Sequence, residues 1–294
     1  MKITVRYSLE KSLFQVCYFI MSRLPYNLVE SLLEHLFLSV GYGLGIRRKV
    51  AESNLRLIYP EITRSEVVTI LRKMYRHFGK MTAELFFADN EKLMQKFEFR
   101  GDYNMWEALA QQRGVILATA HLGNWELAGR FLAQHFQVAA IYKRLHNQFF
   151  DRFTYDIRKR YNVTPINKKK ALLQTVKCLR ENFVVTILID QYAGKKGIKV
   201  DFMGFPASTY VGAAKLAIRT GAPVVVGVAV RTSDNKHLIM LEKPIYPQAY
   251  SDSQEDVKKL LQVISSNIEK YVYNYPEQWF WVHRRWRGLK KKVD

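Results

Sequence analysis

Apolar residues fall into two regimes along this chain. Through the first hundred residues they recur at intervals of three and four, the period of a helix buried on one side. Residues 63–87 show it most clearly, with Val67, Leu71, Met74, Tyr75, Phe78 and Met81 on one stripe and Ser65 near its start. Shorter helices are predicted over 90–97 and 105–111, with 98–100 a transition. Beyond residue 114 the pattern changes to short unbroken apolar runs, which read as buried strands at 115–120, 138–142, 163–166, 184–189, 224–230 and 238–241. A short strand and loop is expected over 199–204. Helices are predicted between them over 148–161, 171–182, 210–220 (N-capped by Thr209) and 254–271 (N-capped by Ser253). The predicted class is α/β: a mixed central sheet flanked by helices, with a helical N-terminal membrane-associating region. The chain divides into a helical part, 1–95, and an α/β core, 96–294, that together form one compact unit.

The N-terminus places Lys2, Arg6 and Lys11 ahead of an apolar run, 13–21, that closes at Arg23-Leu24-Pro25. It has the first two parts of a signal peptide without the small-residue cleavage site. It also falls short of the ~20 apolar residues that cross a bilayer. A second apolar stretch, 28–40, is interrupted by Glu30, Glu34 and His35. Both read as helices lying on or weakly inserted in a membrane surface, the competing reading being a buried helical hairpin. Gly41, Gly43 and Gly45 mark a helix end.

Charge narrows the partners. The 294 residues carry a formal net charge of +20, which favours acidic partners: nucleic acid, anionic lipid or an acidic carrier protein. Cys17 and Cys178 have no metal-binding or disulfide spacing, so a reducing compartment is the default. Zinc, phosphate-loop, nucleophile-elbow and dinucleotide motifs are absent, and neither a metal nor a cofactor is expected.

The chemistry centres on the first strand after the helical region. His121 follows it, then the turn Leu122-Gly123-Asn124, with Asn124 as N-cap of a helix that carries Trp125 and Glu126 in its first turn and buries Leu127, Phe131 and Leu132. A Gly-bearing turn lets Glu126 reach back to one nitrogen of His121 and leaves the other facing out, which is the working arrangement of a general base. Asp190-Gln191 ends another buried strand and points to the same rim of the sheet, where α/β proteins bind ligands. Residues 143–170 are densely cationic, and the arginines there can grip phosphate. Phe202, Met203 and Phe205 read either as an acyl-tunnel wall or as core packing. Gly212, Ala213, Ala214 and Ala217 allow close approach of a backbone or ligand chain.

Ala-His-Leu-Gly-Asn-Trp-Glu at 120–126 resembles the signature of the late acyltransferases of lipid A biosynthesis, the lauroyl/myristoyl acyltransferase family. Pro-Glu-Gln-Trp-Phe-Trp-Val-His-Arg-Arg-Trp at 276–286 is a second match. Arg23-Leu24-Pro25, Asn54 to Pro60, Tyr142 to Asn147, Arg158/Arg160 and Asp190-Gln191 follow the family in order. The basic loop departs from it, reading Lys-Arg-Leu-His-Asn in place of an Arg-Pro form. The resemblance implies catalytic roles for His121, Glu126, Arg158 and Asp190, with Asp190 orienting Arg158 or the acceptor. It implies substrate contacts by Asn124, Arg144, Asn147, Arg160, Gln191, Arg284 and Arg285.

The implied reaction moves a fatty acyl group from an acyl carrier protein thioester, the co-substrate, to a hydroxyl of a Kdo-bearing lipid A precursor. It runs at the cytoplasmic face of the bacterial inner membrane, with carrier protein, precursor glycolipid and anionic membrane surface as partners. An acyl-CoA-dependent enzyme acting on another glycolipid or lysolipid is the alternative. The C-terminal tryptophans alternating with arginines suit a membrane interface. They suit single-stranded nucleic acid too, but no other nucleic-acid motif accompanies them and no nucleic-acid partner is expected.

Overall fold

The computed structural model describes residues 2–144, 147–167 and 171–289, with side chains from Glu10 onward. Leu145, His146 and the lysines at 168–170 lie outside the described residues. The N-terminal part is helical as its period predicts: α1 (Lys2–Met21), α2 (Tyr26–Leu36), a π-helical turn (Phe37–Gly43), α3 (Arg48–Ile58) and α4 (Arg64–Phe86). Thr63 and Glu66 close a capping box at the start of α4, satisfying two backbone donors that a helix N-terminus otherwise leaves open. The stripe from Val67 to Met81 is buried, so α4 forms part of the core. No helix among the described residues is long and apolar enough to cross a membrane.

The rest is α5 (Glu91–Met94), β1 (Phe97–Arg100), α6 (Asp102–Leu109), β2 (Val115–Thr119), α7 (Trp125–His135), β3 (Val138–Tyr142), α8 (Gln148–Arg160), β4 (Val163–Asn167), α9 (Ala171–Arg180), β5 (Val184–Leu188), the hairpin β6 (Ile198–Phe202) and β7 (Phe205–Thr209), α10 (Gly212–Thr220), β8 (Val224–Arg231), β9 (His237–Leu241) and α11 (Gln254–Asn274). Among the described residues, seven strands form one sheet in the order β1-β9-β8-β2-β5-β3-β4. All neighbours are parallel except the antiparallel pair β8/β9, so the sheet is mixed as expected.

Two of these elements differ from the sequence reading. Phe97–Arg100 is an edge strand where a helix end and transition were expected. Its four residues are too few to carry a period, and it is held by parallel pairing to β9. Thr209 ends β7 and does not cap α10: its hydroxyl donates to the Ala207 carbonyl and accepts from Arg285 Nη2.

Both faces of the sheet are covered, which is why its central strands read as continuous apolar runs. Ile116 and Ala118 of β2, with Val185 and Ile187 of β5, join α4, α9, α10 and α11 on one face. Val115, Leu117 and Val184 join α6 and α7 on the other. β2 and β5 are neighbours in register, Thr119 opposite Leu188. The chain leaves β2 through α7 toward β3, and leaves β5 through the β6–β7 hairpin and α10 toward β8. Adjacent strands whose exits cover opposite faces open a crevice at their carboxyl ends, the ligand position of open α/β sheets.

The C-terminal segment closes this crevice. Trp279, Trp281 and Trp286 are buried, at 1%, 0% and 6% exposure, which corrects the expectation that they face a membrane. Each indole N–H is satisfied inside, by Asp190 Oδ2 (2.9 Å), Pro276 O (2.6 Å) and Phe202 O (3.2 Å). The Trp279 and Trp286 rings pack with Phe202, so Phe202 and the buried Met203 belong to the core and not to a tunnel wall. Ala213, Ala214 and Ala217 are core residues as well.

Candidate active site

Because Thr119 pairs with Leu188, the residues two places further on in each strand, His121 and Asp190, stand side by side. The His121 backbone N–H donates to Asp190 Oδ2 at 2.9 Å and ring Nδ1 donates to Asp190 Oδ1 at 2.8 Å. Trp279 Nε1 gives Asp190 a third donor. Burial alone would raise the Asp190 pKa, but the His121 charge and these hydrogen bonds outweigh it and hold the carboxyl well below its usual range. For His121, burial disfavours the charged ring, while Asp190, and more weakly Glu126, favour it; the balance is a raised pKa. Nε2 is the nitrogen left for chemistry. It accepts a 3.3 Å hydrogen bond from Gln191 Nε2, and the ring is edged by Trp125 and Phe280 with centroids 4.9 and 5.9 Å away.

Glu126 does not hold His121. Its carboxylate pairs with Arg158 Nη2 of α8 at 2.6 Å, and it reaches His121 only through its field. Nor does Asp190 orient Arg158. The two acids have exchanged the parts expected of them, for a physical reason. The turn at Gly123 and the cap at Asn124 aim the first turn of α7 at α8, while strand register delivers Asp190 to the ring. The turn itself requires glycine: Gly123 has φ +59, and a Cβ there would sit 1.8 Å from the Ala229 carbonyl oxygen.

The remaining expected site residues divide. Gln191 is in place. Asn124 is fully buried, capping α7 through Oδ1 to Leu127 N–H (3.1 Å) and donating Nδ2 to Glu84 (2.7 Å), so it holds the loop and does not reach substrate. Arg285 is buried among the carbonyls of Gln191 and Ser208 and the Thr209 hydroxyl. There it braces the strand ends, and burial lowers its pKa to about 10. Asn147 caps α8 and donates to Glu10. Arg160 is an exposed partner of Asp89, and Arg144 is exposed, 4.0 Å from Asp151. Arg284 is exposed. The structure does not bring these last four into the His121 cluster.

Glu84 was not anticipated. It is wholly buried in α4, and its carboxylate accepts from Asn124 (2.7 Å), Arg231 Nη2 (2.8 Å) and His237 Nε2 (2.8 Å). Burial works against its charge, and the His237 and Arg231 contacts still pull its pKa far below the carboxylate range. The available signal was position, three residues beyond Met81 on the stripe that α4 buries.

An apolar pocket of 80 Å³ runs between the sheet and α7. Leu117, Leu132, Val138 and Val163 line it, with Trp125, Glu126 and Arg158 also in its wall. An imidazole held by a carboxylate on one nitrogen, with only the exchangeable Gln191 amide on the other, an Arg158–Glu126 pair and an apolar slot at hand can support base-assisted transfer of a hydrophobic group. Residues 2–288 match the family described as bacterial lipid A biosynthesis acyltransferase; the chain belongs to that family and is an O-acyltransferase. It is 26% identical over 253 residues to the lipid A biosynthesis palmitoleoyltransferase of Escherichia coli K12, covering 82% of this chain and 79% of that one. To the lauroyltransferase of the same organism it is 26% identical over 254 residues, with 84% and 81% covered. To the phosphatidylinositol mannoside acyltransferase of Mycolicibacterium smegmatis it is 24% identical over 217 residues, with 72% and 69% covered.

Proposed function

We propose that this acyltransferase moves a fatty acyl chain from an acyl carrier protein thioester to a hydroxyl of a Kdo-bearing lipid A precursor, at the cytoplasmic face of the bacterial inner membrane. The observation that carries the reading is the Asp190–His121 pair. Asp190 fixes the proton on Nδ1, so Nε2 offers a lone pair to the acceptor hydroxyl. The hydroxyl oxygen attacks the thioester carbonyl as Nε2 takes its proton. The C–O bond forms, the C–S bond breaks, and the proton passes to the departing thiolate. Arg158 and Gln191 provide donors for the charge that develops on the carbonyl oxygen. A positioned base contributes about 10²–10⁴-fold, and no covalent acyl-enzyme is needed.

The membrane part of the proposal is supported by exposed apolar residues on α1 and α2. α1 exposes Leu13, Val16, Phe19 and Ile20, α2 exposes Leu28, Leu32 and Leu36, and the exposed Arg23 lies between the two helices. Such a helix pair suits lying on a bilayer. The +20 charge suits both an acidic carrier and lipid phosphates. A second reading is acyl-CoA-dependent acylation of another glycolipid; the relatives named phosphatidylinositol mannoside acyltransferase favour such an acceptor.

The test is a mass shift. Wild type and His121→Ala, each in detergent, are offered a Kdo-bearing tetra-acylated precursor with carrier-protein thioesters or acyl-CoA. A gain of one acyl mass from the carrier donor with wild type alone is expected. Transfer from CoA only moves the assignment to the second reading, and undiminished transfer by His121→Ala overturns the base.

A further inference from the structure

Two apolar cavities share the Glu126 side chain as a wall. One is the pocket under α7. The other, 230 Å³, lies between α1, α4 and α8, lined by Phe14, Tyr18, Leu85, Phe86, Phe153 and Ile157. Its aromatic side is tightly built: the Phe14 ring stands 4.9 Å from Phe153 and 5.1 Å from Phe150, and Tyr18 stands 5.6 Å from Phe86. The two threonines in its lining, Thr82 and Thr154, turn their hydroxyls onto carbonyls of their own helices. Among the described residues, Glu126 is therefore the one charged group it presents, and that carboxylate is already paired with Arg158.

We propose that this cavity holds the hydroxyl-bearing acyl chain of the lipid acceptor, while the donor chain takes the pocket under α7. The assignment rests on the acyl-transfer reading above and adds to it where each chain lies. Esterifying a hydroxyl carried on an acyl chain requires two chains to meet at one base, and the two cavities meet at an acid whose field reaches that base. The choice of acceptor over donor follows from α1. The helix that supplies Phe14 and Tyr18 to the cavity exposes Leu13, Val16, Phe19 and Ile20 on its other sides. A chain drawn from a bilayer on which α1 rests passes from apolar surroundings into the cavity without crossing water.

Photo-crosslinking places each chain directly. Wild-type protein in detergent is mixed either with a lipid A precursor bearing a diazirine in its hydroxyacyl chain or with a carrier-protein thioester bearing one in its fatty chain. After irradiation, the labelled peptides are mapped by mass spectrometry. Label from the precursor on α1, on α8 or around Leu85 is expected. Precursor label confined to 115–142 and 224–241, or donor label on α1, overturns the assignment. A filling variant, Leu85→Trp, is expected to raise the acceptor KM at least ten-fold and leave the preference for donor chain length unchanged. A change in donor preference with unchanged acceptor KM also overturns it. Turnover of unmodified precursor by wild type tests the acyl-transfer reading separately, so failure of that reading and failure of the cavity assignment are told apart.

Discussion

Asn124 faces two ways: its carbonyl oxygen caps α7, and its amide nitrogen is gripped by the buried Glu84. If Glu84 sets the position of the His121–Glu126 loop, the pair should tolerate exchange but not single change. Asn124→Asp keeps a good N-cap but puts a second carboxylate at the 2.7 Å contact, where both cannot stay ionised. Glu84→Gln keeps the shape but leaves Arg231 and His237 with one neutral acceptor between them. Breaking a buried charged network by removing one partner costs about 3–5 kcal/mol. At ~2–4 °C per kcal/mol in a large domain, each single variant should melt on the order of 10 °C lower. In the double variant the new amide on α4 donates to the new carboxylate at the α7 cap and removes the clash of two carboxylates, while Arg231 and His237 still share the one amide oxygen that Glu84→Gln leaves them. It should recover at least ~2 kcal/mol relative to the sum of the singles, within the range found for residues in one network. Thermal unfolding and acyl-transfer rate are measured on all four proteins. Additive losses in melting and rate would refute the positioning role of Glu84.

The pH dependence follows from His121. Nε2 must be unprotonated to act, so kcat/KM should rise with pH through a midpoint above the ordinary imidazole value of 6.5, since Asp190 and Glu126 raise the pKa against the effect of burial. Asp190→Asn should lower both that midpoint and the plateau, and a midpoint unmoved by this change would break the link between the two residues. Glu126→Gln should free Arg158 and move the midpoint only slightly, with a smaller loss of kcat than Asp190→Asn; a loss as deep as that of His121→Ala would restore Glu126 as the partner of the base. Gly123→Ala drives a Cβ to 1.8 Å from the Ala229 oxygen at φ +59, and should destabilise the protein by more than ~2 kcal/mol in thermal melts. An unchanged melting point would show that the turn has room to relax.

The central strands were readable because burial on both faces leaves nothing but apolar residues in them, and α4 was readable because its stripe is long. β7 was not: five residues containing Pro206, with exposure changing along them, give no clean alternation. The tryptophans misled because alternating Trp and Arg describes a wet interface equally well. Their burial depends on the hairpin strand β6 and on Asn54, whose amide holds the carbonyls of Trp281 and His283 from more than two hundred residues away. His121 and Asp190 were each legible as strand-end residues. Their contact was not, because it depends on β2 and β5 being neighbours, while the chain passes through β3 and β4 between them.

That contact also decides how the two site acids divide their work. Asp190 has 1% of its side chain exposed and is held by three donors, so it has no freedom to do anything but orient and charge-stabilise the ring. Glu126 is 34% exposed, pairs with Arg158 and borders both apolar cavities. A carboxylate in that position can exchange its arginine for a substrate group without stranding a buried charge, because water and the incoming polar group remain within reach. On the proposed mechanism, the spacing His–four–Glu therefore joins a base to an ion pair that borders both cavities. The residue that holds the histidine comes from the neighbouring strand, 69 positions away.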